Sequence, residues 1–179
     1  MGKKISWSVA LGALGLALLG GDQLAAQEMT ASAVCPAPVA PTGELAPWTS
    51  PTAMTAAGTN ARTSRARLAI GHASRLTLLR TPEVRYPHRP EKPGGSVSYG
   101  GLVRIDVPAA GTYRVALSSA AWVDLVRGGT AVTSVNHGHG PECSGIRKMV
   151  DYALQPGRYT LQVAANGDQA ITVLVAQLP

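Results

Sequence analysis

The sequence predicts an all-β fold, an antiparallel and jelly-roll-like β-sandwich with eight or nine short strands. Composition is the first reason, because the chain has no Phe, 20 Gly and 13 Pro, which suits strands and tight turns. The second reason is that apolar and polar residues alternate in several short segments separated by turn residues. The third is that no segment after residue 26 has a sustained helical period. Short strands at regular spacing are typical of sandwiches and barrels.

The clearest strand segment is 97–107, where Val103, Ile105 and Val107 alternate with Arg104 and Asp106. Asn166-Gly167-Asp168 carries the residues of a tight hairpin turn, so we expect the last two strands to pair across it. The main strands are expected at 75–79, 97–107, 112–117, 121–126, 131–135, 146–154, 158–163 and 171–176, with shorter candidates at 67–70 and 84–86.

Three regions follow one another along the chain. Residues 1–26 have the three parts of a secretory signal peptide: Lys3 and Lys4, an apolar run at 5–19, and small residues ending at Ala26. The run is shorter than the roughly 20 residues of a membrane span, so we expect no anchor after cleavage. Residues 27–63 are rich in Pro, Ala and Thr and are expected to form an extended arm. Residues 64–179 are expected to form the sandwich domain.

The charge balance suggests affinity for anionic surfaces, and the alternative is that the charge serves only solubility. The 16 basic residues exceed the 10 acidic ones, giving a formal net charge of +6. In the periplasm or outside the cell, the partners would be an envelope surface, a glycan or a protein, and no nucleic acid is expected. An anion-binding stripe is predicted from the arginines between the arm and the first strands: Arg62, Arg65, Arg67, Arg75, Arg80, Arg85 and Arg89.

Cysteine usage agrees with export. The chain has two cysteines, Cys35 and Cys143, and a pair of thiols in an oxidising compartment normally forms a bridge. A Cys35–Cys143 disulfide would tie the arm to the domain. It would also leave Cys143 unable to act as a nucleophile or a metal ligand.

A metal site is the main alternative to a purely polar loop in the stretch NHGHGPEC at 136–143. His137 and His139 would point to the same side of a strand, where they could share a Cu or Zn ion. The third ligand would be Glu142, His72 or His88. If no third ligand is in place, the stretch is a solvated Gly-rich loop without a cofactor.

Asp124 is the unusual carboxylate, because it lies within the apolar segment 121–126. Buried charges need partners. We therefore expect a buried ion pair between Asp124 and Arg147, with Lys148 as the other partner to consider. A carboxyl group acting as an acid with a raised pKa is the alternative interpretation.

Three phrases resemble the pre-peptidase C-terminal domain family of secreted β-sandwiches. They are GTY at 111–113, WVDL at 122–125 followed by Gly128-Gly129, and PGRYTL at 156–161, within a matching region of residues 102–176. The resemblance implies an accessory role in solubility, targeting or adhesion, without catalytic residues. In the first and third phrases a Gly precedes a Tyr by two residues, so we expect each Tyr to bury its ring and bond the turn.

A second resemblance points to an enzyme. The order Gly129, His137, Gly138, His139, Glu142 and Gly145 loosely resembles the first metal motif of cupins. That resemblance implies a mononuclear iron dioxygenase of the homogentisate ring-cleaving type. The sequence as a whole favours an exported, non-catalytic binding or accessory protein over this enzyme and over a periplasmic metal-binding protein.

Overall fold

Two β-sheets, whose strands carry apolar residues at alternate positions, form the core of the described residues. The computed structural model describes residues 35–179, so the predicted signal peptide lies outside the described residues. Three short 3-10 helices occur at Gly43–Thr49, Asn60–Arg65 and Thr81–Glu83. The strands are β1 Thr52–Thr55, β2 Ala73–Thr77, β3 Leu79–Arg80, β4 Tyr99–Val107, β5 Gly111–Leu117, β6 Trp122–Arg127, β7 Thr130–Ala131, β8 Asn136–Gly138, β9 Lys148–Leu154, β10 Gly157–Asn166 and β11 Ala170–Gln177.

One sheet has the strand order β1-β2-β11-β5-β9-β8, and the other has the order β3-β4-β10-β6-β7. β1 and β2 are parallel, and the remaining pairs are antiparallel. The two sheets share a core because alternate residues of each point inward, such as Ile105 and Leu161 from one and Val115 and Val173 from the other.

The predicted all-β sandwich is therefore confirmed, with eleven strands in residues 35–179 instead of eight or nine. The additional strands are short: β1 has four residues, β3 two and β8 three, which is too few for a clear alternating pattern in the sequence. The strand expected at 131–135 is wrong over most of its length, because β7 ends at Ala131 and residues 132–134 form no strand. The candidates 67–70 and 84–86 contribute only isolated bridges, Arg67 with Arg104 and Arg85 with Thr59.

The two Gly-Tyr turns behave as predicted at the tyrosine. Tyr113 and Tyr159 are buried, and each hydroxyl donates a 2.9 Å hydrogen bond to a carbonyl four residues earlier, on Ala109 and Gln155 respectively. The glycines differ, because Gly157 has a φ of +142°, which suits only glycine, whereas Gly111 is not at positive φ. The feature that the two turns share is therefore the hydrogen bond of a buried tyrosine to the turn.

Residues 35–63 do not form a separate extended arm, as the sequence suggested, but belong to the compact unit Cys35–Pro179. β1 pairs with β2 along the edge of the six-stranded sheet. Leu45 and Trp48 are buried against the outer face of that sheet, where they join Ala116, Ile146 and Leu174 in a second apolar cluster. Residues 43–49 are held in place because these apolar side chains cover a sheet face, which a Pro-rich composition does not reveal.

The predicted hairpin at Asn166-Gly167-Asp168 is also corrected. The turn is present, but β10 and β11 lie in different sheets, so the chain crosses the sandwich there. Asn166 is buried, and its side-chain amide donates to the Asp168 carbonyl at 2.6 Å. The turn sequence predicts a reversal of direction, whereas the hydrogen-bond partners of the following strand depend on the whole sheet.

Candidate functional site

The outer face of the five-stranded sheet carries a cluster of three arginines around one carboxylate. Asp106 of β4 contacts Arg67 at 2.7 Å, Arg104 at 2.9 Å and Arg158 at 3.8 Å. We call Arg67, Arg104, Asp106 and Arg158 the arginine face.

Strand geometry brings these side chains together. Arg104 and Asp106 are two residues apart on β4, so they share the face opposite to the buried Ile105. Arg158 of β10 is the cross-strand partner of Asp106. Arg67 arrives from the segment before β2, which bridges to β4 at Arg104.

Positive charge dominates this cluster, since three guanidinium groups share one carboxylate. The hydrogen bond from Arg104 is the main cause that holds the pKa of Asp106 below its ordinary value, and Arg67 contributes in the same direction. Asp106 is 40% exposed as a side chain, so water screens these pairs and the effect on stability is small. The carboxylate orients the arginines without cancelling their charge.

A polar cavity of about 310 Å³ lies beside the arginine face. Its floor includes Arg104, Arg158 and Thr160, and its wall is the 3-10 helix Asn60–Arg65. Thr160 donates a 2.7 Å hydrogen bond to the Asn60 side chain, which attaches that wall to β10. Two guanidinium groups beside hydroxyl groups are suited to an anionic, oxygen-rich ligand.

The predicted arginine stripe is divided in the structure. Arg62 and Arg65 lie exposed on the 3-10 helix beside the cavity, and Arg67 belongs to the arginine face. Arg75 lies in β2 of the other sheet, and Arg80 lies in β3 over the ring of Tyr99.

The sequence prediction missed Arg104 and Arg158 as part of this surface. Their signal was present as polar positions alternating with buried ones in β4 and β10. The sequence does not show that β4 and β10 are neighbours, and this pairing is what places the two arginines side by side.

The predicted metal ligands are not assembled into a three-ligand site. Among residues 35–179, no three His, Cys, Asp or Glu side chains come close enough to hold a metal ion. His137 lies in the exposed strand β8, which replaces part of the predicted loop, and the His139 ring nitrogen is 3.1 Å from the Arg147 carbonyl. Glu142 is exposed. The predicted metal site of His137, His139 and Glu142 is therefore not formed, because the chain turns between His139 and Glu142.

The other two candidate ligands lie against backbone groups. The ring nitrogen Nδ1 of His72 is 3.3 Å from the Ile70 carbonyl, and that of His88 is 3.4 Å from the Gly129 carbonyl. The described part of the chain thus supplies no third ligand for a Cu, Zn or Fe ion of the kind the cupin resemblance implied.

Asp124 does not form the predicted buried ion pair with Arg147. Its carboxylate is half-buried and accepts hydrogen bonds from Trp122 Nε1 at 3.0 Å and from Gln162 Nε2 at 2.8 Å. Arg147 is exposed. Asp124 points to the outer face of β6, where neutral N–H groups satisfy it, so no guanidinium is required.

A different ion pair is buried. Arg114 of β5 and Asp151 of β9 are cross-strand partners, and the guanidinium donates two parallel hydrogen bonds of 2.8 and 2.9 Å to the carboxylate. Glu44 lies 3.6 Å from Arg114. This pair therefore links the six-stranded sheet to the N-terminal segment that covers it.

The predicted disulfide is present. Cys35 and Cys143 are bonded, with Cα atoms 5.4 Å apart, and the Val39 N–H donates to the Cys143 carbonyl at 2.8 Å. Cys143 is consequently neither a nucleophile nor a thiolate ligand. Within residues 35–179, no helix is both long and apolar enough to cross a membrane.

No protein-family model matches this chain, and no curated protein matches it. The arginine face, its cavity and the disulfide are therefore interpreted from their own chemistry. The described residues place cations and hydroxyl groups at a surface cavity.

Proposed function

We propose that this chain is an exported, non-catalytic binding protein that attaches to an acidic glycan or glycan-coated surface through the arginine face. The observation that carries the proposal is the excess of three guanidinium groups over one carboxylate beside a polar cavity. Guanidinium groups bind carboxylate, sulfate and phosphate oxygens through paired hydrogen bonds.

Two features support an extended ligand over a small ion. The 3-10 helix that forms the cavity wall also carries the exposed Arg62 and Arg65, which do not line the cavity but add positive charge to the surface near it. Asn60, Thr63 and Ser64 add polar groups suited to sugar hydroxyls. A chain of acidic sugars offers negative charge and hydroxyl groups at repeated spacing.

Export is part of the proposal, with a periplasmic or secreted location. The signal peptide predicted at residues 1–26 and the Cys35–Cys143 disulfide both support it, because disulfides persist in oxidising compartments. The accessory role implied by the pre-peptidase C-terminal resemblance is compatible with surface adhesion.

The test is binding of the purified protein to immobilised polygalacturonate and lipopolysaccharide at low and high salt. We expect salt-sensitive retention. An Arg104→Gln/Arg158→Gln variant should bind about tenfold more weakly, because two solvent-screened ion contacts of up to about 1 kcal/mol each together reach the roughly 1.4 kcal/mol of a tenfold change.

Arg75→Gln is the matched control, since it also removes a guanidinium but from the other sheet. It should retain nearly full binding. A role for the arginine face would be ruled out if retention did not depend on the salt concentration, or if Arg75→Gln weakened binding as much as the double variant does.

A further inference from the structure

A second cleft lies between β6 and β9, away from the residues of the arginine face. It has a volume of about 400 Å³, within the range of small-molecule sites. Trp122 and Asp124 of β6 form one wall, and Lys148 and Tyr152 of β9 form the other. The rim includes Glu91 and the hydroxyl groups of Thr133 and Ser134.

Some of these groups are engaged in the fold. The Asp124 carboxylate accepts from Trp122 and Gln162, and the Tyr152 hydroxyl donates to the Val123 carbonyl at 3.2 Å. Their positions are thus set before any ligand arrives. They form a rigid wall of mixed polarity.

Charges of both signs meet at the cleft, because the carboxylates of Glu91 and Asp124 line it together with the ammonium group of Lys148, and Lys92 lies beside Trp122. The ammonium groups of Lys92 and Lys148 lie 5.7 and 5.5 Å from the centre of the same Trp122 ring. An ammonium has three donors, and one of those on Lys148 serves the Ala121 carbonyl at 3.0 Å. Partial burial and next the repulsion by Lys92 lower the pKa of Lys148, and they outweigh the opposite effect of the Asp124 carboxylate. An anion beside both groups would relieve this repulsion.

We propose that this cleft binds one anionic sugar residue, a pyranose carrying a carboxylate. The carboxylate pairs with Lys92 and Lys148, and the sugar ring lies against the part of Trp122 that solvent reaches. The ring hydroxyls meet Glu91, Thr133 and Ser134. A simple ion fits less well, because the cleft is much larger than an ion and presents an indole and several hydroxyl groups.

This inference stands apart from the proposed function, since the two sites share no residue. The cleft is suited to a single residue of a glycan or to a free sugar acid. The experiment therefore uses monosaccharides, which do not require the arginine face.

Tryptophan fluorescence provides the readout, because Trp122 is half-buried at the cleft. The purified protein is titrated with D-glucuronate and with D-glucose, which differ only at the carboxylate-bearing carbon. We expect a saturable change with glucuronate and at least tenfold weaker binding of glucose. The Trp122→Phe variant should lose the signal, which identifies its source.

Lys92→Met is the decisive variant, since Lys92 is exposed and its loss should leave the fold intact. It should weaken glucuronate binding about tenfold, while Arg104→Gln/Arg158→Gln should leave that binding unchanged. Equal responses to glucose and glucuronate, or full binding by Lys92→Met, would overturn the proposal. Equal competition by acetate would also overturn it, because the site would then recognise an anion and no sugar.

Discussion

At the scale of single residues, several polar groups inside the fold are satisfied by distant partners, whereas Gln162 Oε1 is buried without a hydrogen-bond partner among residues 35–179. Asp151 is only 6% exposed as a side chain and receives both of its short hydrogen bonds from Arg114. Tyr152 and Tyr86 each donate a hydroxyl to a carbonyl, on Val123 and Val163 respectively. Such groups affect stability mainly through what their loss leaves unpaired.

Arg114→Met should therefore destabilise the protein strongly. The substitution keeps an apolar stem but leaves the Asp151 carboxylate buried without its cation, at a cost of about 3–5 kcal/mol. Denaturant unfolding measures this directly. Arg158→Met is the control, because Arg158 is exposed and should change stability by less than about 1 kcal/mol. Similar losses in the two variants would contradict a special role for the buried pair.

Stability should also fall in alkaline solution. Burial raises the pKa of Tyr86 to about 12 and also raises that of Tyr152, where the Asp124 charge adds to burial. The folded chain keeps these protons, whereas the unfolded chain loses them near pH 10. Their contribution is complete below about pH 10 and is lost as the pH rises through the folded pKa.

Unfolding experiments between about pH 9 and pH 11, combined with phenolate absorbance, test this expectation. Tyr86→Phe should reduce the decline in stability with pH. The expectation would be wrong if all five tyrosines titrated together near pH 10 and the free energy of unfolding did not fall.

At the scale of secondary-structure elements, β6 has an edge that the short β7 only partly covers. β7 pairs with Val126 and Arg127 alone. Further along that edge, the carbonyls of Ala121, Val123 and Leu125 accept hydrogen bonds from Lys148 Nζ, the Tyr152 hydroxyl and the Val132 N–H. Groups from the opposite sheet and the connecting chain thus occupy positions that another strand could use.

Tyr152→Phe tests whether the Tyr152 hydroxyl protects the edge of β6. It leaves the Val123 carbonyl without its donor, which costs about 1–3 kcal/mol. Denaturant midpoints measure the loss, and light scattering at high concentration reports any association through the freed edge. Tyr99→Phe serves as the control, because that ring lies beside Arg80 and away from β6. Equal stability of Tyr152→Phe and the unmodified protein would mean that the edge does not depend on this hydroxyl.

At the scale of the whole molecule, the N-terminal segment forms a layer over the six-stranded sheet. Leu45 and Trp48 cover its outer face, Glu44 approaches Arg114, and the disulfide holds the beginning of the segment. The covalent bond joins residues 108 positions apart. It limits the freedom of the unfolded chain as well as fixing the layer.

Cys35→Ser/Cys143→Ser should lower the free energy of unfolding by several kcal/mol, up to about 4.7 kcal/mol for a loop of about 100 residues. The unfolding midpoint of this variant should not change when a reductant is added. The midpoint of the unmodified protein should fall in reductant toward the value of the variant. Hydrogen exchange should increase first in Gly43–Thr49. An unchanged midpoint after reduction would contradict a stabilising role for the disulfide.

Much of the fold could be predicted from local patterns. The long strands were predictable because β4, β5, β10 and β11 alternate or run apolar over seven or more residues. The disulfide followed from counting cysteines. β8 could not be predicted, because its three exposed residues have no apolar phase and become a strand only by pairing with β9. Asp124 was misassigned because sequence cannot distinguish a carboxylate bonded by N–H groups from one paired with a cation.

The sequence by itself determined the all-β class, the long strands and the thiol pair, because these depend on composition, on the two-residue period of a strand and on the number of cysteines. Only the tertiary structure decided which sheet receives each strand, and hence that Arg104, Arg158 and Arg67 meet around Asp106. It also decided that Lys92 and Lys148 share the ring of Trp122. The physical reason is that these contacts join residues far apart in the chain, and strand pairing sets such contacts.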